Sequence, residues 1–182
     1  MTLVPVVAVV GPSGVGKDSV MVALKARDPG FRLVRRVITR PEQTGGESFE
    51  GVSETDFQIR LAADAFALSW RAHGLSYGIP AAAIAERKGA RALLVNLSRG
   101  VLLRAQEVLH PLIVLSLTAR PEVLAARLAA RGREDAADQA LRLGRAGMTL
   151  PDGLRRVVTI DNSGPLDLTV DAVLAQLQRA SA

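Results

Sequence analysis

The sequence predicts a three-layer α/β fold, a parallel sheet with helices on both faces, and three observations predict it. Val4 to Val10 is a continuous apolar run, the pattern of a strand buried on both faces. That run breaks into Gly11-Pro12-Ser13-Gly14-Val15-Gly16-Lys17 and passes into a segment of helical spacing, so strand, glycine turn and helix follow in order. Apolar strands then alternate with helical segments along most of the chain, which favours parallel pairing through crossover helices.

The first strand, Val6 to Val10, leads into the G-x-x-x-x-G-K spacing of a phosphate-binding loop. Glycines let successive backbone N–H groups converge on an anion, the helix N-terminus adds partial positive charge, and Lys17 reaches the β- and γ-phosphates of a nucleotide. Gly11, Pro12, Ser13, Gly14, Val15, Gly16 and Lys17 are therefore expected to cradle the phosphates of ATP. After the lysine, where Ser or Thr is usual, stands Asp18, with Ser19 behind it in the same cradle. A carboxylate is a hard oxygen ligand suited to Mg2+. Neither LLVN, ending at Asn96, nor LIVLSLT, ending at Thr118, supplies an acid at its carboxyl end, so Asp18 is expected to carry the metal-side charge. ATP and Mg2+ are the expected cofactors.

A helix from Lys17 to about Ala26 closes before Asp28-Pro29-Gly30. Leu33 to Ile38 reads as one strand with Arg35 and Arg36 in its middle; neighbours in a strand face opposite ways, so at least one arginine leaves the core, and Arg35 is expected in solvent if Arg36 is inward. Thr39 to Ser53 reads as a polar loop. Ser53 and Asp56 form a capping-box pattern that starts a helix running from Glu54 to about Asp64. Phe66 to Trp70 reads as a short strand, AHGLSYGIP as a turn-rich stretch, and Pro80 as the opening of a helix from Ala81 to Arg87. Residues from about 40 to 88 interrupt the strand-helix alternation and are expected to form an inserted acceptor-binding lobe within a single domain, the core being 1–39 and 89–182. Alternation resumes with a strand at Ala92 to Leu97, a helix at Arg99 to Leu109, a strand at Leu112 to Leu117 and a helix from Pro121 to about Ala130. A helix at Ala136 to Arg145, a short strand at Val157 to Ile160 and an amphipathic helix at Leu166 to Arg179 complete the chain. Gly11, Thr39, Asn96 and Thr118 fall at strand carboxyl ends, the edge where such sheets bind ligands.

With 182 residues and 48% hydrophobic content the chain can bury one sizeable core. It has no cysteine, which excludes disulfides and thiolate metal sites, and its two histidines, His73 in a glycine turn and His110 before a proline, offer no basis for a zinc centre. The net charge of +5 rests on arginine, since Lys17, Lys25 and Lys88 are the only lysines. The arginines are scattered and aromatics make up only 3%, so a nucleic-acid partner is not expected and small phosphorylated ligands account for the sign. The N-terminal run lacks signal-peptide flanks and is too short to span a bilayer, so no membrane partner and a cytoplasmic location are expected. A homodimer is compatible with the sequence.

In order along the chain, GPSGVGK from Gly11, RRVITRP from Arg35, GGESFEGVS from Gly45, AHGLSYGIP from Ala72, RLAARGRE from Arg127 and DN at Asp161 resemble the guanylate kinase group. The resemblance implies a P-loop NTPase fold and transfer of the γ-phosphoryl of ATP onto a phosphate of a second ligand held by the inserted lobe. It implies that Arg36, Arg40 and Tyr77 clasp the acceptor phosphate, with Glu47 in the neighbouring turn among the substrate-binding residues. It implies also that Arg131, Arg133, Arg142 and Arg145, in an arginine-rich lid at about 131–147, close over the triphosphate, and that Asn162 lies near the adenine. Lys17, Arg131, Arg133 and Arg142 are the expected catalytic residues.

The departures are informative. Where that group places a guanine-reading acid and a small hydroxyl residue, this chain has Leu68 and Ile79, neither able to hydrogen-bond a purine edge. An acceptor with a phosphate and no base, a phosphorylated sugar, suits that combination, and the aspartate after the loop lysine resembles members of the group that phosphorylate ribose 1,5-bisphosphate. A nucleoside monophosphate kinase with an altered base pocket is one alternative. A non-enzymatic binding module is another, against which the intact Gly16-Lys17 pair argues.

Overall fold

A computed structural model of the protein describes residues 3–42, 48–130 and 149–179. Five parallel strands form the main sheet in the order β2-β7-β1-β8-β9: β1 (Val6–Val10), β2 (Phe31–Leu33), β7 (Ala92–Asn96), β8 (Leu112–Thr118) and β9 (Val157–Asp161). β1 lies between β7 and β8, and all five of its residues are buried, as its unbroken valine run requires.

Alternate residues of these strands feed two separate cores. Val7 and Val9 of β1, Leu94 of β7 and Ile113 and Leu115 of β8 face α1 (Lys17–Arg27), α5 (Pro121–Ala130) and α6 (Leu166–Arg179), where Val20, Leu24, Leu124, Val170 and Val173 are buried against them. Val6, Ala8 and Val10, with Leu93, Val95 and Val114, face the other way, toward α3 (Ala81–Ala85), α4 (Leu102–Val108) and the inserted lobe. Thr169, Val170, Val173 and Leu177 make the buried stripe of α6 at helical spacing. Among the described residues no helix is long and apolar enough to cross a membrane.

The lobe carries a second sheet in the order β4-β3-β6-β5: β3 (Arg36–Ile38), β4 (Phe49–Gly51), β5 (Phe66–Ala72) and β6 (Leu75–Pro80). Over it lies α2 (Glu54–Ala62), capped as its sequence predicts by the Ser53 hydroxyl accepting from the Asp56 N–H at 3.0 Å. Phe57 of α2 is buried and stacks on Phe66 of β5, ring centroids 4.7 Å apart, which ties helix to sheet.

Three segments differ from the sequence reading. Leu33 to Ile38 is two strands, because Val34 still donates to Leu94 of β7 and the chain then leaves at Arg35 for the other sheet; Thr39 accordingly ends a strand of the lobe and not of the main sheet. Phe49–Gly51, inside the expected loop, pairs with β3 in parallel, a three-residue strand too short and polar to show alternation. AHGLSYGIP is mostly strand: only His73 and Gly74, both at positive φ (53° and 74°), make the turn, and Ala72 pairs with Leu75 across it. Two consecutive positive-φ residues are the signature of a tight type I′ hairpin. A smaller difference is that the helix expected from Arg99 begins as a 3-10 turn, Arg99–Val101, before α4.

Gly78 of β6 sits directly under the Phe66 ring, where an added Cβ would lie 2.5 Å from ring carbons. Gly78→Ala must displace Phe66 from its stack on Phe57, and is expected to destabilise the protein by about 1–3 kcal/mol in a denaturant titration.

Candidate active site

The phosphate-binding loop joins β1 to α1. Gly16, the residue before the helix, adopts φ 96° and supplies no side-chain cap to the helix start. Any side chain at 16 would meet that positive φ and the Asn162 amide nitrogen at 2.8 Å. The Lys17 ammonium lies across the loop, donating to the carbonyls of Gly11 (3.0 Å) and Pro12 (3.3 Å). Asp18, in the first turn of α1, is half-buried and Ser19 is exposed.

Behind the loop, three elements converge on the Val15 carbonyl. Asn162, at the end of β9 and only 3% exposed, donates its amide N–H to it at 2.7 Å, and Arg127 of α5 donates to it at 3.2 Å. The Asn162 side-chain oxygen accepts from the Thr169 hydroxyl of α6 at 2.7 Å, and the Asn162 carbonyl accepts from Arg127 at 2.8 Å. Both ends of the Asn162 amide are thus committed to hydrogen bonds behind the loop. The neighbouring Asp161 carboxyl is held below the usual carboxylate range, first by the Ser163 hydroxyl and then by the Ser163 N–H, with Arg120 and Arg127 adding their charge against the cost of burial.

On the acceptor side, Arg36 is 7% exposed and lies 5.3 Å from the Tyr77 ring centroid, while Arg35 is exposed and bonded to Glu42 and the Phe49 carbonyl. Of that adjacent pair, Arg36 is therefore the inward one. Tyr77 stacks on Trp70, centroids 5.2 Å apart and planes 8° off parallel, and the Trp70 indole N–H donates to the Ser98 hydroxyl at 3.0 Å, just past β7 of the main sheet. The Arg36-Tyr77-Trp70-Ser98 series makes a continuous wall from lobe to core. In the same turn Arg99 is partly buried, and that burial draws its pKa below the ordinary arginine value.

Arg40 lies over the Phe49 ring at 4.4 Å and lines a cleft of about 730 Å³ together with Thr39, Ser53 and Glu54. Its Nε–H is buried with no hydrogen-bond partner, the condition expected of a donor shaped for an anion's oxygen. Leu68 and Ile79, 1% and 0% exposed, face each other across β5 and β6 and belong to the core.

The structure therefore brings Gly11 to Ser19 and Asn162 together, and sets Arg36 against Tyr77, while Arg40 lies over Phe49 and lines the cleft with Thr39, Ser53 and Glu54. Glu47, Arg131, Arg133, Arg142 and Arg145, and the helix expected at Ala136 to Arg145, lie outside the described residues. Sequence reading missed the roles of Trp70, Ser98 and Thr169. Thr169 carries no sequence signal, because a threonine inside an amphipathic helix is unremarkable; Arg127, within RLAARGRE, was legible as part of a motif but not as a loop brace.

Fold and site together define a P-loop kinase fold with an inserted lobe that carries the second sheet. The fold is shared with guanylate kinase from Anaplasma phagocytophilum, at TM-score 0.66 and 14% identity over 98% of this chain and 85% of that one. It is shared also with a gluconokinase from Sinorhizobium meliloti 1021, at TM-score 0.55 and 22% identity over 99% and 95% of the two chains. A scan against protein-family models finds no match. Ribose 1,5-bisphosphate phosphokinase PhnN of Ruegeria sp. (strain TM1040) is 58% identical over 174 residues, 96% of this chain and 92% of the relative. The protein of the same name from Agrobacterium fabrum is 40% identical over 178 residues, 96% and 97% of the two chains. The chain belongs to the ribose 1,5-bisphosphate phosphokinase family.

Asn162→Ala leaves the Val15 carbonyl to Arg127 alone and strips Thr169 of its acceptor. The expected result is a loss of about 1–3 kcal/mol of stability together with weaker ATP binding, seen by denaturation and by equilibrium nucleotide titration; unchanged ATP affinity would show the brace to be structural only.

Proposed function

We propose that the chain transfers the γ-phosphoryl group of ATP to ribose 1,5-bisphosphate, giving 5-phosphoribosyl 1-diphosphate and ADP. The observation that carries this reading is the pairing of the buried Arg36 and the cleft-lining Arg40 with Leu68 and Ile79, packed aliphatic side chains at the positions where the resemblance implies base reading. Membership of the family supports the same assignment.

The acceptor phosphate is already ionised near neutral pH, so no general base is required, and catalysis reduces to alignment and charge neutralisation. One of its oxygens attacks the γ-phosphorus; the bond from that phosphorus to the β,γ-bridging oxygen breaks, and its electron pair leaves with ADP. Lys17 offsets charge on the β- and γ-phosphates, the amides of the loop and of the first turn of α1 bind the phosphate oxygens, and the Asn162-Val15 brace keeps those amides aligned. Arg36 and Arg40 hold the acceptor phosphate in line, and Arg131, Arg133 and Arg142 are assigned to closure over the triphosphate, excluding water as a competing acceptor. The half-buried Asp18 carboxylate fits a divalent cation as a hard oxygen donor at the head of α1. Mg2+ held there would supply charge neutralisation on the phosphates.

Three experiments test the reading. Lys17→Ala is expected to cut ADP formation by about a hundredfold or more with the fold intact by circular dichroism; near-normal turnover would refute the assignment of the loop. Side-by-side ADP-release assays with ribose 1,5-bisphosphate and GMP are expected to favour the sugar strongly, and a preference for GMP would make the chain a nucleoside monophosphate kinase. Asp18→Asn is expected to raise the Mg2+ concentration needed for half-maximal turnover, and an unchanged requirement would remove Asp18 as the metal-side group.

A further inference from the structure

Glu54 opens α2 on the wall of the acceptor cleft, beside Thr39, Arg40 and Ser53. Its position is built. The Ser76 hydroxyl, on a residue 1% exposed, donates to both carboxylate oxygens at 3.2 Å, and the Gln58 amide donates to one of them at 2.8 Å. Thr39, whose hydroxyl accepts the Ser76 N–H at 2.9 Å, adds a further hydrogen bond to the same carboxylate. Gln58 first, then Ser76, the Arg71 charge and Thr39, hold the Glu54 carboxyl below the usual range against the cost of burial, so it is an ionised acceptor at neutral pH.

A fixed carboxylate is the wrong charge for the phosphate that Arg40 attracts, yet it shares that cleft. It suits a neutral donor. A carboxylate offers about four acceptor directions, and Ser76, Gln58 and Thr39 do not fill them all. A pentose bisphosphate presents neutral donors only as its ring hydroxyls, and hydrogen bonds from a hydroxyl to an ionised carboxylate are among the strong ones. We propose that Glu54 accepts a hydrogen bond from a ring hydroxyl of the sugar acceptor and so determines specificity for a hydroxylated pentose; this rests on the reading of the acceptor as ribose 1,5-bisphosphate. Discrimination comes from the same geometry, because an analogue lacking that hydroxyl removes the hydrogen bond and leaves the held carboxylate facing the ligand without its donor.

The test compares the unsubstituted protein with Glu54→Ala and Glu54→Gln on three acceptors: ribose 1,5-bisphosphate and its 2-deoxy and 3-deoxy analogues. The unsubstituted protein is expected to lose about tenfold to a hundredfold in kcat/KM on the analogue that lacks the hydroxyl Glu54 reads. Glu54→Ala is expected to lose a similar factor on ribose 1,5-bisphosphate, to change less than about twofold on that one analogue, and to leave the KM for ATP unmoved, with Glu54→Gln intermediate. An equal loss on all three acceptors would make Glu54 only a brace for Ser76 and Thr39 and would overturn the proposal, as would no loss on any. The unsubstituted protein is assayed first on ribose 1,5-bisphosphate; failure there removes the acceptor reading and the proposal with it, whereas turnover there with variants that do not discriminate removes the proposal alone.

Discussion

The carbonyl of Val15 is the point on which the nucleotide half of this protein depends. A phosphate-binding loop works only if its amides converge, and amides are aimed by fixing the carbonyls between them. Asn162 and Arg127 both donate to that one oxygen, and Thr169 holds Asn162 from α6, so β9, α5 and α6 set the loop from behind while β1 and α1 set its ends. These contacts are buried or half-buried, where a hydrogen bond is stronger and an unpaired partner costs more than in water. The main sheet earns its place by bringing the ends of β1, β8 and β9 to a single edge.

The acceptor half is organised differently. Its arginines are positioned through aromatic rings, Arg36 by Tyr77 and Arg40 by Phe49, with Trp70 carrying the stack across to Ser98 of the core. A ring gives a guanidinium a flat apolar support that orients its charge. A chain with only 3% aromatic residues places four of them, Phe49, Trp70, Tyr77 and Phe66, in the lobe's sheet. That concentration is why a small lobe with three-residue strands can hold two cations in register.

Much of the fold was legible because its strands are buried on both faces and so read as unbroken apolar runs: β1, β7 and β8 stand out in the sequence at nearly their observed bounds. The phosphate-binding loop was legible because its function demands particular glycines and a lysine at fixed spacing. The lobe was not, since strands of three residues leave no period to detect, and Phe49–Gly51 and Arg36–Ile38 owe their conformation to each other. In the same way Arg36 announced itself through its residue type, and the inward choice between it and Arg35 needed the second sheet to decide. The brace on Val15 was illegible for a further reason: Thr169, Asn162 and Val15 are far apart in the chain, and nothing local in any of the three marks the contact.

Leu68 and Ile79 carry one more consequence, which concerns what this scaffold could become. They are packed in the same core as Val10 and Val95 of the main sheet, so the residues at the positions where the guanylate kinase resemblance implies base reading also hold the two sheets together. Installing a carboxylate or hydroxyl there would first put an unpaired polar group into a dry interior, at a cost of several kcal/mol against a total stability of about 5–15 kcal/mol. The evolutionary path from a sugar acceptor to a purine acceptor therefore crosses a valley of instability, and compensating changes in the surrounding packing have to come before the new specificity does.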